Sequence, residues 1–243
     1  MFHVKQLMTP GPPGEAAIRS ALEAAGLVVP IEASTQLAEH ASAVLESNRV
    51  LNLTRIIEPD DFIRLHIVDS LAPLKFINLR QGEGIDIGSG AGFPGIPLAI
   101  MGCRLTLCET RKKKAAYLRA WVEQLRLDVP VVAQRAEELV AGGGSYDWVV
   151  MRAVSSLASL LELASPLLRS RGRMVAMKGV RSKDEEERGE CAGRLTGMRL
   201  VDIHEYRLPD GAEQRTLYIF ERAGVVKTAL PRRAGLAQKQ PLG

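Results

Sequence analysis

The segment Asp86-Ile87-Gly88-Ser89-Gly90-Ala91-Gly92-Phe93-Pro94-Gly95 carries the clearest chemical signal in the chain. It follows a short apolar stretch that predicts a strand, and it precedes a stretch that predicts a helix. Glycines let a backbone turn sharply and approach a ligand closely, and a helix N-terminus offers unpaired N–H groups to an anion. A strand, a glycine turn and a helix in this order predict a nucleotide-binding turn.

The spacing of the glycines separates two classes of ligand. The dinucleotide fingerprint has glycine at its first, third and sixth positions, whereas the sixth position here is Phe93. The pattern is instead G-x-G-x-G after an acid, Asp86. It is similar to the first motif of S-adenosylmethionine (AdoMet) methyltransferases, so AdoMet is the expected cofactor.

Two further segments fall where such a site needs polar groups. Glu109 ends the next predicted strand, about 20 positions after Gly88, and an acid there suits hydrogen bonds to both ribose hydroxyls. A helix-capping role is the alternative. Arg135-Ala136-Glu137 follows the third predicted strand, where the loop lies over the adenine in this fold. Glu137 could equally be a first-turn helix acid.

The residues after the fourth predicted strand, Met151-Arg152-Ala153, occupy the loop that selects the target atom in methyltransferases. An Asp/Asn-Pro-Pro-aromatic motif for amino groups is absent there, and the three cysteines lie elsewhere. Of the Lys-Asp-Lys-Glu set for ribose methylation only Lys178 is a candidate, and Arg152 stands near the place of the Asp. These absences favour an acceptor that needs no activation, such as a ring nitrogen with a free lone pair, and no catalytic residue is assigned.

The histidines and one nearby acid are weaker candidates for chemistry. His66 and Asp69 are three positions apart on a predicted helix, so a catalytic pair is conceivable, but a buried structural contact is the favoured interpretation. The four histidines are scattered and show no Cys/His ligand spacing. No metal site is therefore expected.

The elements that must position these residues follow from the pattern of apolar residues. Residues 1–14 are expected to be disordered, residues 15–80 to form a helical cap, residues 81–223 to form the methyltransferase domain, and residues 224–243 to form a basic tail. In the domain, predicted strands alternate with helices and end in a hairpin. These strands are Gly84–Ile87, 104–108, 129–133, 147–151, 173–177, 198–208 and 215–221. The expected fold is α/β and Rossmann-like, with a seven-stranded, mostly parallel sheet in the order 3-2-1-4-5-7-6 and helices on both faces.

Composition fits this architecture and excludes other classes. The chain has 243 residues, of which 46% are hydrophobic and 25% charged, which is ordinary for a globular protein and excludes a wholly disordered or fibrous chain. The odd number of cysteines does not make a disulfide framework. No apolar stretch is long enough for a membrane span, and the first 14 residues lack the apolar core of a secretory signal. We therefore expect no membrane partner and a cytoplasmic location.

Positive charge is concentrated in two places, although the net charge is only +4. One cluster is Arg111, Lys112, Lys113, Lys114 and Arg119. The other is the segment from Arg222 to Gly243, which holds five basic residues, among them Arg232 and Arg233, and no acidic ones. Such clusters favour an anionic partner such as nucleic acid, with a solvated face and a solubilising tail as the alternative.

With these residues in view, the chain resembles the RsmG (GidB) family of bacterial 16S rRNA methyltransferases. The matching pieces are Asn52-Leu53-Thr54, His66–Leu71, Asp86–Ile100, Glu109–Leu118, Arg135-Ala136-Glu137, Met151-Arg152-Ala153, Met177-Lys178-Gly179 and the tail at 231–242.

The resemblance implies methyl transfer from AdoMet to N7 of one guanine in 16S rRNA, near the decoding site of the small subunit. The partner would be 16S rRNA or the 30S subunit, and we expect a monomer. The resemblance also implies which residues line the AdoMet site: Gly88, Phe93, Glu109, Thr110, Ala136, Glu137 and Arg152. The expected RNA contacts are Arg111, Lys112, Lys113, Lys114, Arg232 and Arg233. Other interpretations remain open: a methyltransferase of a small metabolite or protein, a binding module without catalysis, and the disfavoured NAD-dependent oxidoreductase.

Overall fold

The structure, a computed structural model, describes residues 11–142, 146–209, 211 and 213–243. The sequence also predicts turns at 142–144 (Gly-Gly-Gly) and at 209–211 (Pro-Asp-Gly). These predictions, in part, and the expected disorder of residues 1–10 lie outside the described residues. Within them, no helix is long and apolar enough to cross a membrane.

The N-terminal region is helical, as its apolar spacing predicts. Helix α1 spans Glu15–Ala24 and α2 spans Ile31–Leu51. The buried residues Leu37, Ala41 and Val44 recur every three or four positions of α2 and form its inner stripe. α2 ends where Asn52 adopts a left-handed conformation with φ of 48°.

The second half of the cap is a continuous helical run whose hydrogen-bond pattern changes along its length. It begins as α3, Pro59–Phe62, with proline at the first helical position. A π-helical turn, Ile63–Val68, follows, and then α4, Asp69–Leu71, and a 3₁₀ turn, Ala72–Lys75. The π turn was not predicted. π turns in helices are often found at functional sites, and this one contains His66.

The sheet has seven strands in the order β3-β2-β1-β4-β5-β7-β6, which confirms the predicted topology. Pairs within β3-β2-β1-β4-β5 are parallel, and β7 pairs antiparallel with both β5 and β6. The strands are β1 Gly84–Ile87, β2 Leu105–Cys108, β3 Val131–Val132, β4 Tyr146–Arg152, β5 Leu168–Lys178, β6 Met198–Arg207 and β7 Gln214–Arg222.

Five further α-helices lie in the described part of the chain after the cap. They are α5 Gly95–Ile100, α6 Lys112–Gln124, α7 Leu157–Ala164, α8 Lys183–Thr196 and α9 Leu236–Lys239. α7 and α8 begin after serines, Ser156 and Ser182, whose hydroxyls accept a backbone N–H three residues later. α7 ends at Ala164 because Pro166 allows only a 3₁₀ turn, Ser165–Leu167.

Alternate side chains of the strands separate two apolar cores. In β4, Trp148 and Val150 pack with the cap, α5 and α6, whereas Val149 and Met151 pack with α7 and α8. Because side chains alternate along a strand, one run of apolar residues serves both faces of the sheet. The carboxyl ends of β1, β2 and β4 then meet at one edge, where the glycine turn, Glu109 and Arg152 lie.

Candidate active site at the carboxyl edge of the sheet

The glycine turn after β1 has the backbone conformation that its glycines predict. Gly88, Gly90 and Gly92 have φ of 79°, 56° and 97°, values that other residues rarely adopt. The N–H groups of Gly88 and Ser89 both donate to the carbonyl of Cys108, at 2.9 and 3.2 Å. A Cβ on Gly88 would lie 3.0 Å from Val154 Cγ2, so the turn is also close-packed. This turn forms a cradle that only glycine leaves open.

Asp86, the acid at the end of β1, is buried beneath the turn. Its Oδ2 accepts the Gly95 N–H at 3.0 Å, at the start of α5. Its Oδ1 has no hydrogen-bond partner among the residues that the structure describes. Burial raises the pKa of Asp86 to about 7, although the Ser89 and Gly95 hydrogen bonds oppose this. Asp86 is therefore a buried carboxyl beneath the turn with one oxygen that has no partner among the described residues.

Glu109 reaches the glycine turn from the end of β2. Its Oε2 accepts the Gly90 N–H at 3.1 Å, and its Oε1 accepts the Arg111 N–H at 2.7 Å and the Thr110 hydroxyl at 3.4 Å. The residue is only 7% exposed. One carboxylate thus joins the turn to the start of α6. The two carboxylate oxygens that cap the start of α6 and contact the turn are also the atoms that would accept hydrogen bonds from the ribose hydroxyls.

The loop after β3 contacts the C-terminal segment. Ala136 is buried, and the Oε1 of Glu137 accepts the Gly235 N–H at 2.7 Å. Ala237, in α9, is also buried in the core formed by α7. The segment expected to form a basic tail is therefore packed against the loop expected to cover the adenine.

Arg152, at the end of β4, points to the cap. Its Nη1 donates to the Leu65 carbonyl at 3.1 Å and to Asp69 Oδ2 at 3.2 Å. Its Nη2 lies 3.4 Å from His66 Nδ1, and its Cζ lies 5.5 Å from the centre of the Phe93 ring. The guanidinium is thus held by four contacts, three of them with the cap. It can present a fixed positive charge beside the site.

Phe93 lies between two imidazoles of the cap. The His66 ring stacks on it at 4.7 Å with an angle of 7° between the planes, and the His40 ring lies 4.7 Å away on a tilt. Burial lowers the pKa of His40 to about 4, and burial together with the charge of Arg152 lowers that of His66 to about 3. Both rings are neutral at pH 7. His40 was missed in the sequence, although a histidine in the apolar stripe of α2 was a usable signal.

His66 and Asp69 do not form the conceivable catalytic pair. The Nε2 of His66 hydrogen-bonds Thr54 Oγ1 at 2.7 Å. Asp69 instead accepts from Tyr206 at 3.0 Å, from Arg152 and, at 3.5 Å, from Arg215 Nε. Its carboxylate has three donors and is almost fully buried. The structural interpretation is therefore the one that the geometry supports.

A cavity of about 360 Å³ opens beside these groups. Asp69, Arg152 and Arg215 line it, together with Met177 and Lys178 from β5. The Nζ of Lys178 contacts Glu185 Oε1 at 2.6 Å and donates to the Ser155 carbonyl at 2.7 Å. Tyr206 and Arg215 come from the hairpin, and no motif in the sequence indicates either of them. The cavity has basic walls at the edge of the sheet where the glycine turn lies.

The predicted RNA contacts fall into two groups. Arg111, Lys112 and Lys113 are exposed at the start of α6, with Lys114 half-buried. Arg233 is exposed too, but Arg232 is not free: its Nε contacts Glu162 Oε1 at 2.6 Å, and its Nη2 donates to the Gln240 carbonyl at 2.7 Å. A buried carboxylate of α7 thus takes up the charge of Arg232, which differs from the predicted phosphate contact. Among the described residues no group of His, Cys, Asp or Glu could hold a metal ion.

Comparisons with known proteins agree with this geometry. The family model for rRNA small subunit methyltransferase G matches residues 33–216. Ribosomal RNA small subunit methyltransferase G of Carboxydothermus hydrogenoformans is 34% identical over 94% of this chain and 100% of that protein. The Deinococcus radiodurans protein of the same name is 37% identical over 95% of this chain and 94% of its own.

Among solved structures, M. jannaschii TYW2 in complex with AdoMet has a TM-score of 0.55 and 18% identity, covering 71% of this chain and 81% of that one. A methyltransferase from Pyrococcus furiosus has a TM-score of 0.54 and 16% identity, covering 78% and 99%. These two likenesses show the fold, a Rossmann-like AdoMet-dependent methyltransferase. From the family model and the relatives, the chain belongs to the rRNA small subunit methyltransferase G family.

Proposed function

We propose that this methyltransferase transfers a methyl group to N7 of one guanine in 16S rRNA, in a loop near the decoding site. The observation that carries the proposal is the chemistry of the cavity beside Arg152. Its lining includes the neutral imidazole of His66, whose Nε2 is hydrogen-bonded, and the carboxylate of Asp69, which already accepts from three donors. Among the described residues that line it, neither is free to act as a general base.

An acceptor atom that needs no general base is consistent with the residues that line this cavity. Guanine N7 carries an in-plane lone pair and is unprotonated at neutral pH, so attack on a methyl group needs no proton removed first. AdoMet, when bound, would supply a sulfonium methyl group open to in-line attack, with S-adenosylhomocysteine as the leaving group when the C–S bond breaks. The contribution of the chain is then alignment and charge complementarity.

The residues around the glycine turn fit the cofactor. The left-handed Gly88 and Gly90 leave room that a Cβ would fill, and the Glu109 carboxylate is at the turn to accept from ribose hydroxyls. The unpartnered Oδ1 of Asp86 suits a cationic amino group. A carboxylate has about four acceptor sites, and three donors of the chain already contact Glu109. Two ribose hydroxyls would therefore displace part of these contacts, those of Gly90 and Thr110, when AdoMet binds.

The basic wall fits the nucleotide. On its major-groove edge guanine presents two acceptors, O6 and N7. A donor that reached N7 would block the attacking lone pair, so we assign any side-chain donor in the cavity to O6 or to a phosphate. Arg215 and Lys178 are the candidates, because Asp69 and Glu185 hold them at the wall. The exposed cations at 111–114 and Arg233 would contact phosphates further away.

The deciding experiment maps 7-methylguanosine in 16S rRNA from a strain that lacks this protein. Complementation with the wild type should restore one modified guanine. Complementation with Arg152→Ala should restore little, because the guanidinium links the cap, Asp69 and the site. Arg49→Gln, an exposed change on α2, is the matched control and should restore the wild-type level. Restoration of a methyl group at another atom or in another RNA would contradict the proposal.

A further inference from the structure

A second basic surface lies at the opposite end of the sheet from the candidate active site. It is an open groove of about 740 Å³ beside the first residues of β5, the end of α8 and the segment after β7. Four cations line it, and Glu221 is the single acid in the lining. The four are Arg171, Arg194, Arg199 and Lys227.

The charges of this basic groove are largely uncompensated. Glu221 lies 3.8 Å from Arg173 Nε and 3.5 Å from Arg199 Nη2, so its carboxylate is already shared. Arg171, Arg194 and Lys227 are exposed, and none has an acidic partner within the part of the chain that the structure describes. One cation near the end of α8 would satisfy the helix dipole; the others need a different explanation.

The walls of the groove are fixed by backbone hydrogen bonds. The N–H groups of Ala223 and Gly224 donate to the Gly197 carbonyl at 3.1 and 3.0 Å, and the Lys227 N–H donates to the Leu195 carbonyl at 2.8 Å. Gly197 has φ of 70°, and a Cβ there would lie 2.6 Å from the Gly224 oxygen. The cations are therefore attached to a rigid frame, which lowers the cost of ordering them around a ligand.

We infer that this groove binds the phosphate backbone of the RNA substrate at a second place, distant from the methylated base. The inference rests on the proposed function for the RNA, but not on the choice of guanine N7. From Arg171 to Lys178 of β5 is about 23 Å at the usual rise of a strand. A small molecule could not contact both ends of the sheet, whereas a folded RNA can. Guanidinium groups match phosphate oxygens in pairs, which favours RNA over an acidic peptide.

The test uses Arg194→Gln/Lys227→Gln, which removes two cations without ion-pair partners. Each phosphate contact contributes about 0.7 to 0.9 to the slope of log K against log salt, so the slope should fall by about 1.5. The ratio of wild-type to variant affinity should then drop about eightfold between about 50 and 200 mM KCl. The KM for small ribosomal subunits at the lower salt should rise at least about eightfold, with kcat and AdoMet affinity unchanged.

The control is Arg19→Gln/Arg49→Gln, which removes the same charge from the cap. If both double variants change the slope equally, net charge and not the groove is responsible, and the inference is overturned. An unchanged slope and KM in the groove variant would also overturn it. Failure of the proposed function gives a different result: the wild type itself would place no methyl group on guanine N7 of the subunits, while the binding measurements would still report on the groove.

Discussion

The ion pair between Arg232 and Glu162 should hold the C-terminal segment on α7, and Arg232→Ala is the direct test. The Glu162 side chain is 3% exposed and that of Arg232 is 21% exposed. Breaking a fully buried pair costs about 3–5 kcal/mol, because an uncompensated charge stays behind. Since Arg232 is partly in water, we expect about 2–3 kcal/mol here.

The measurement is urea unfolding of the two single variants, Arg232→Ala and Glu162→Gln, and of the double variant. The loss of unfolding free energy in the double variant should be smaller than the sum of the losses in the two single variants. The difference, the coupling energy, should be about 1–3 kcal/mol, because the interaction can be lost only once. Hydrogen exchange at the Gly235 amide should quicken in both singles, since this N–H donates to Glu137 only while the segment is docked.

Arg233→Ala is the matched control: its side chain is exposed and it carries no ion pair among the described residues, so a change within about 0.5 kcal/mol is expected. The reasoning would be refuted if the stability losses of the two single variants simply added in the double variant. It would also be refuted if the Arg232→Ala protein were as stable as the control but bound RNA more weakly. The second outcome would restore Arg232 to the phosphate-binding role that the sequence predicts.

Four further predictions follow from the site. Glu109→Ala should weaken AdoMet binding by about 1–3 kcal/mol in calorimetric titration, since it removes a buried acceptor. Gly88→Val should abolish that binding, because φ of 79° and the contact with Val154 leave no room for a branched side chain; wild-type affinity would contradict the cradle. At saturating AdoMet, kcat should be nearly flat from about pH 6 to 9, and a tenfold rise per unit would show a required base. His40 and His66 have lowered pKa values, so stability is lost as pH falls below about 6.5, while the raised pKa of Asp86 offsets one of the two protons. For these three groups together, the free energy of unfolding should fall by about 1.4 kcal/mol per pH unit as the pH is lowered from about 6 to 4. Asp86→Asn should double this slope, as urea unfolding at several pH values would show.

The parts of the site that the sequence predicts are those encoded locally. The glycine turn, the acid at Glu109 and the order of strands each depend on a short segment or on general rules of connection. The bounds of β5 were predicted too short because Arg169 and Arg171 interrupt its apolar pattern, although Leu168 pairs with Tyr146 of β4 at the start of the strand.

The parts that it does not predict depend on pairs distant in the chain. Asp69 meets Tyr206 and Arg215 only once the hairpin is placed beside the cap, and Glu162 meets Arg232 only once the tail is docked. The π turn was missed for another reason: it shares the apolar periodicity of an ordinary helix closely enough that no residue type marks it.

The apolar core shared by the cap and the sheet has a consequence for synthesis of the protein. Ile18 and Leu37 of the cap belong to the same core as Leu217 and Ile219 of β7, so this core is complete only when nearly the whole chain exists. At roughly 5–20 residues per second, the helices leave the ribosome roughly 10–40 s before the last strand. During that time their inner stripe can pack only against elements already made, such as α5 and α6, and the core still lacks the side chains of β7, so we expect the nascent cap to bind a chaperone at the exit tunnel.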